Sequence, residues 1–68
     1  MSKLSYKKLF KKMIDIDMKN TGLMEQANIS RSTFYKIKNG ENVTTDVLLR
    51  ICNVLECDIS EIVECVEE

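Results

Sequence analysis

The stretch from Leu23 to Gly40, LMEQANISRSTFYKIKNG, constrains the fold of this chain more than any other. Leu23, Met24 and Ala27 recur at helical spacing and give a first short helix one small apolar face. Asn28 follows, and asparagine is the non-glycine residue that best tolerates the left-handed conformation in which a helix stops abruptly. Ile29 is then free to drop into a core as the chain turns. Ser30 is a good N-cap, because its hydroxyl accepts from an otherwise unpaired backbone N–H one turn on. Phe34 and Ile37 make the buried stripe of a second helix, which leaves Arg31, Ser32, Tyr35 and Lys36 on its other face. Gly40, preceded by Asn39, stands at the usual C′ position. The segment predicts two short helices joined by a sharp turn, the second presented outward.

A helix with a thin core stripe and a polar, partly basic outer face fits the major groove of DNA. The stretch resembles the helix-turn-helix of the Cro and phage-repressor type, the XRE family, whose pattern runs roughly L-A-x-x-x-G-[VI]-S-x-x-[ST]-[IVLF]-x-[KRQ]-[IWL]-E-x-G. In this chain the pattern falls on Leu23, Met24, Asn28, Ile29, Ser30, Thr33, Phe34, Lys36, Ile37, Lys38 and Gly40. Met24 replaces the usual Ala, Asn28 the turn Gly, and Lys38 the common Glu. The first two are sterically tolerable, and the third adds positive charge near where DNA would lie. The resemblance implies an all-α, compact five-helix domain of the lambda-repressor type with double-stranded DNA as its partner.

Taken in order, residues 1–4 are a lead-in, and Ser5 is expected to cap helix 1, from about 5 to 17. Leu9, Met13 and Ile16, with Tyr6, Phe10 and Ile14 beside them, define its apolar face, and Lys7, Lys8, Lys11 and Lys12 cluster opposite. Helix 2, about 21–28, is capped by Asn20 or Thr21, and the outward helix runs from about 31 to 38. Thr44 or Thr45 caps helix 4, about 45–56, whose core face is Val47, Leu48, Ile51, Leu55 and Cys52, with Asp46 in the first turn. Asp58 and Glu61 have capping-box spacing for helix 5, about 59–64, which carries Ile59, Ile62 and Val63. For the tail from 64 to 68 a fraying helix end, a short strand and disorder all remain open. No repeat and no linker divides the chain, so a single domain over 1–68 is expected, with no second domain for a small-molecule effector.

Charge is segregated along the chain. Residues 1–40 hold nine Lys and Arg against three acids, and residues 41–68 hold one Arg against eight acids. Such a dipole steers a polyanion to one face and repels it from the other. Arg31 offers a fork suited to O6 and N7 of guanine, Ser32 can reach a base or a phosphate, and Lys36 a guanine or the backbone. Tyr35 can meet a thymine methyl with its ring or a phosphate with its hydroxyl. These four are the candidate base-contacting residues. Candidate backbone contacts are Lys19, Asn20, Thr33, Lys38, Asn39, Asn42 and Thr44; Thr33 is equally suited to packing. The resemblance places the start of helix 2 and the residues after the recognition helix against phosphates.

One recognition helix reads few base pairs, so a homodimer at least on DNA is expected, its half-sites roughly 34–36 Å apart. Ile62, Val63 and Val66 are candidate contacts between its copies. With no His, no Gly-rich phosphate loop and little room beside the core, enzymatic activity is not expected. Three cysteines without a C-x-x-C pair predict neither a metal site nor a disulfide framework, and no cofactor is implied. Cys52 reads as a small core hydrophobe, and Cys57 and Cys65 as partly exposed. The absence of a membrane-length apolar run, signal peptide or lipidation motif places the protein in the cytoplasm. The function expected is that of a transcriptional regulator, a repressor; the alternative is an antitoxin-like or adaptor protein-interaction module on the same fold.

Overall fold

Residues 2–67 are described in the computed structural model; Met1 of the expected lead-in and Glu68 of the expected tail lie outside the described residues. The element order is β1 (Ser2–Ser5), α1 (Lys7–Asp15), α2 (Asn20–Ala27), α3 (Arg31–Lys38), α4 (Thr45–Leu55), one 3₁₀ turn (Ile59–Glu61) and β2 (Glu64–Glu67). Among the described residues there are thus four α-helices: the expected count of five is corrected, while the mostly helical fold holds with a two-stranded sheet added at its ends. β1 and β2 pair antiparallel, from Ser2 opposite Glu67 to Ser5 opposite Glu64. Pairing gives the backbone groups of both segments partners that a lead-in or a fraying helix end would leave to water.

The expected fifth helix shrinks to its first turn, although its start signal is obeyed. The backbone N–H of Asp58 donates to Oε2 of Glu61 at 2.9 Å, and the N–H of Ser60 donates to Oδ1 of Asp58 at 3.4 Å. Beyond the turn, Ile62 and Val63 are both buried, and the chain leaves them as strand. They belong to the core, which removes them as candidate contacts between two copies. The bond from the Asp58 N–H, and then the charge of Lys12, hold the Glu61 carboxyl below its ordinary value of 4.5. A depressed carboxyl stabilises the fold above its unfolded pKa, and that contribution is lost as pH falls through the folded value. The thermal midpoint is therefore expected to drop from about pH 5 to pH 3 more steeply in the wild type than in Glu61→Gln, as followed by circular dichroism.

Each helix ends on a residue in the left-handed region: Asp17 (φ 56°), Asn28 (φ 55°), Gly40 (φ 76°) and Glu56 (φ 53°). After α1, the N–H of Met18 reaches the carbonyl of Met13 at 2.8 Å and that of Asp17 reaches Ile14 at 3.1 Å. After α2, Ile29 reaches Met24 at 3.0 Å and Asn28 reaches Glu25 at 3.3 Å; after α3, Glu41 reaches Lys36 at 2.8 Å and Gly40 reaches Ile37 at 3.1 Å. This is the Schellman motif, which satisfies the last carbonyls while reversing the chain. The early stop at Asp15 corrects the expected helix 1. Ser5 belongs to β1, Tyr6 takes the N-cap position, and Ile16 falls beyond the helix. Ile14 and Ile16, expected in the core, are 78% and 52% exposed.

The core is built from every helix: Tyr6, Leu9 and Met13 at α1, Leu23 and Ala27 on α2, Phe34 and Ile37 on α3, and Leu48, Ile51 and Cys52 on α4. Phe10 meets Phe34 edge to face, ring centroids 6.4 Å apart. The acidic end of the chain folds back on α1. Lys8 approaches Glu64 at 3.7 Å and donates to the Ser60 carbonyl at 3.3 Å, and Lys12 approaches Glu61 at 3.6 Å. The charge separation of the sequence is thus partly closed in space. These exposed pairs contribute little stability, but they occupy two lysines that the charge count assigns to a basic face.

Candidate nucleic-acid interface

Local sequence places α3 firmly. Ser30 accepts from the N–H of Thr33 at 3.2 Å and donates its own proton to Oγ1 of Thr33 at 2.9 Å. A hydroxyl has one proton, so in the 3.1 Å contact between Ser30 and Ser32 the donor is Ser32. The cap thereby holds both following side chains. Ser30→Ala is expected to cost about 1 kcal/mol, a drop of roughly 4–8 °C in thermal midpoint. A melting curve within a degree of wild type would contradict that.

Phe34 and Ile37 face inward, and Arg31, Ser32, Tyr35 and Lys36 are exposed along the outer side of α3. Among the described residues, no carboxylate pairs with Arg31, Lys36 or Lys38, whereas Lys8, Lys12 and Arg50 are all engaged. Two shallow clefts border this face. One is lined by Asn20, Thr21, Met24, Arg31, Tyr35 and Lys38, the other by Thr33, Lys36, Asn42, Val43 and Thr44. The structure therefore brings Asn20 and Lys38 to one flank of the helix, and Thr33, Asn42 and Thr44 to the other. Asn39 lies apart from both, beside Gly40 in a third cleft shared with β1.

At the start of α2 the expected cap is corrected. Lys19, not Asn20 or Thr21, stands at the N-cap with extended backbone (φ −84°, ψ 158°), and no side chain accepts there. Asn20 is the first helical residue. Among the described residues the leading N–H groups of α2 thus have no side-chain acceptor, which suits them to an anion. Thr44 does cap α4, accepting from Val47 at 3.3 Å. Its hydroxyl is thereby committed to that bond as acceptor and keeps its proton to donate.

Two residues absent from the sequence-based site hold its parts in place. The Tyr6 hydroxyl donates to the Glu41 carbonyl at 2.7 Å and pins the loop that carries Asn42. Burial raises the Tyr6 phenol further above its ordinary range, so it remains a donor. Arg50 donates to the carbonyl of Asn28, in the turn between α2 and α3, at 2.9 Å, while its Nε lies 3.0 Å from Asp46. A buried tyrosine requires a partner for its hydroxyl, so Tyr6 carried a signal, although not one that names Glu41. Arg50 on an exposed helix face carried none.

The family model described as Cro/C1-type HTH DNA-binding domain matches residues 8–68. A solved structure of a transcriptional regulator, VanUg, is similar over 98% of this chain and 89% of that one, with 46% identity and a TM-score of 0.95. A comparison with curated proteins gave no match. Among the described residues, no helix is long and apolar enough to cross a membrane.

Proposed function

The chain belongs to the Cro/C1-type helix-turn-helix DNA-binding family, and from that premise we propose that it is a sequence-specific transcriptional regulator, a repressor that reads the major groove with α3. The observation that carries the reading is the outer face of α3, where Arg31, Tyr35 and Lys36 stand exposed and the cations have no acidic partner among the described residues. In this reading Arg31, Ser32, Tyr35 and Lys36 meet base edges. Lys19, Asn20, Thr33, Lys38, Asn39, Asn42 and Thr44 hold phosphates on either side and set the register. Ser32 exchanges its bond to Ser30 for one to DNA. Two copies bind half-sites about 34–36 Å apart on one side of the duplex, and occupancy of the site blocks transcription.

Selection from a random duplex library at moderate salt tests the proposal. An enriched motif with two-fold symmetry is the expected result and supplies the operator. Retention that depends only on salt, with no enriched sequence, would overturn the regulator reading and favour a protein-interaction module.

A further inference from the structure

The end of α4 places two thiols together. Glu56 takes the left-handed conformation, and the N–H of Cys57 donates to the carbonyl of Cys52 at 3.1 Å. Cys52 and Cys57 therefore occupy the C3 and C″ positions of a Schellman motif, whose side chains commonly touch across the helix end. The same two positions hold Met13 and Met18 after α1, and Met24 and Ile29 after α2. These are ordinary apolar pairs, whereas at α4 both members are cysteine. A disulfide needs its Cβ atoms about 3.5–4.5 Å apart, and a contact across the helix end is the placement that allows it. Cys52 is 8% exposed and Cys57 is half-buried, so a reagent in solution reaches Cys57 first.

From this placement we infer that Cys52 and Cys57 form a redox-active dithiol, which small-molecule disulfides oxidise to an intramolecular bond. The Cys57 thiolate attacks one sulfur of the small disulfide and expels the other half as a thiol. Cys52, having released its proton to water, then attacks the Cys57 sulfur and expels the second half. Two electrons pass from the pair to the small disulfide, giving one protein disulfide and two free thiols. Burial, and then the neighbouring Cys57, raise the Cys52 thiol above its ordinary pKa. That keeps Cys52 a poor nucleophile toward solvent and leaves the internal attack as its route. The site lies about two helical turns from Thr44 along α4 and lines neither cleft beside α3.

The test uses the full chain carrying Cys65→Ser, which removes the exposed thiol on β2, with folding checked by circular dichroism. The protein is equilibrated with oxidised and reduced glutathione in graded ratios, quenched with acid and weighed intact. The expected result is joint loss of both thiols, a mass lower by two hydrogens and no lasting glutathione adduct. Cys52→Ser in the same background should instead accumulate one adduct at Cys57. A persistent adduct at Cys57 with Cys52 still present would overturn the inference. So would survival of both thiols in the folded protein at a ratio that pairs them in the urea-unfolded chain.

Discussion

Phe34→Ala is expected to lower the thermal midpoint by roughly 15–30 °C or to leave the domain unfolded at room temperature. Phe34 is 2% exposed, and its ring is met edge to face by Phe10 across an interplanar angle of 89°. Truncating a buried phenylalanine costs about 3–5 kcal/mol, partly in lost transfer energy and partly in the cavity left behind. A domain of this size has only about 3–10 kcal/mol to lose, and each kcal/mol moves its midpoint by about 4–8 °C. Thermal and urea melts check the expectation. A cooperative transition within a few degrees of wild type would mean that the two rings are not central to the core. Because the same side chain anchors α3 from beneath, its loss should also abolish DNA retention even where residual helix survives.

The second large effect concerns Arg31. Arg31→Ala is expected to weaken binding to the selected operator by about 5- to 150-fold, the loss of one bidentate base contact at about 1–3 kcal/mol. Specificity should relax at a single position in each half-site. Lys38→Ala should behave differently, weakening all sequences alike and lowering the salt slope by about one unit. The contrast rests on position along α3: Arg31 opens its first turn, whereas Lys38 is its last residue. Anisotropy titrations over a range of salt, with operator and singly substituted duplexes, separate the two outcomes. Equal loss on every duplex with Arg31→Ala would place that side chain on phosphate.

The helix-turn-helix was legible because its signals are local. Asn28, Ser30, Gly40 and Thr44 each fix a backbone conformation or a hydrogen bond within five residues; the first three do so as read, and of the two threonines read as a cap for α4 it is Thr44 that serves. The capping box of Asp58 and Glu61 was legible for the same reason, but its extent was not, because a start signal does not encode a length. Ile14 misled because helical periodicity offers two apolar faces on so short a helix and the core needs one. Ile16 misled because Asp17 stops the helix in a left-handed turn that aspartate signals only weakly. The pairing of the sheet was illegible, although a short strand stood among the alternatives for the tail: SKLS and ECVE are short segments whose partners lie at opposite ends of the chain. In the candidate interface, the outer residues of α3 could be named from spacing alone. The supports from Tyr6 and Arg50 are contacts between distant segments, |i−j| of 35 and 22, and only the folded chain reveals them.

That same sheet fixes an order of events. Between Ser5 and Glu64, its facing residues, lie all four helices, so joining them closes the longest loop in the fold. Closing so long a loop in a disordered chain carries an entropy penalty, which shrinks once helix packing has drawn the ends together. The helices can therefore assemble from near neighbours, whereas the strands must wait for them. During synthesis β1 is made before β2, with the four helices between them, and until the two pair its backbone donors and acceptors are open to other chains. Of the two strands, the one made first waits longest for protection.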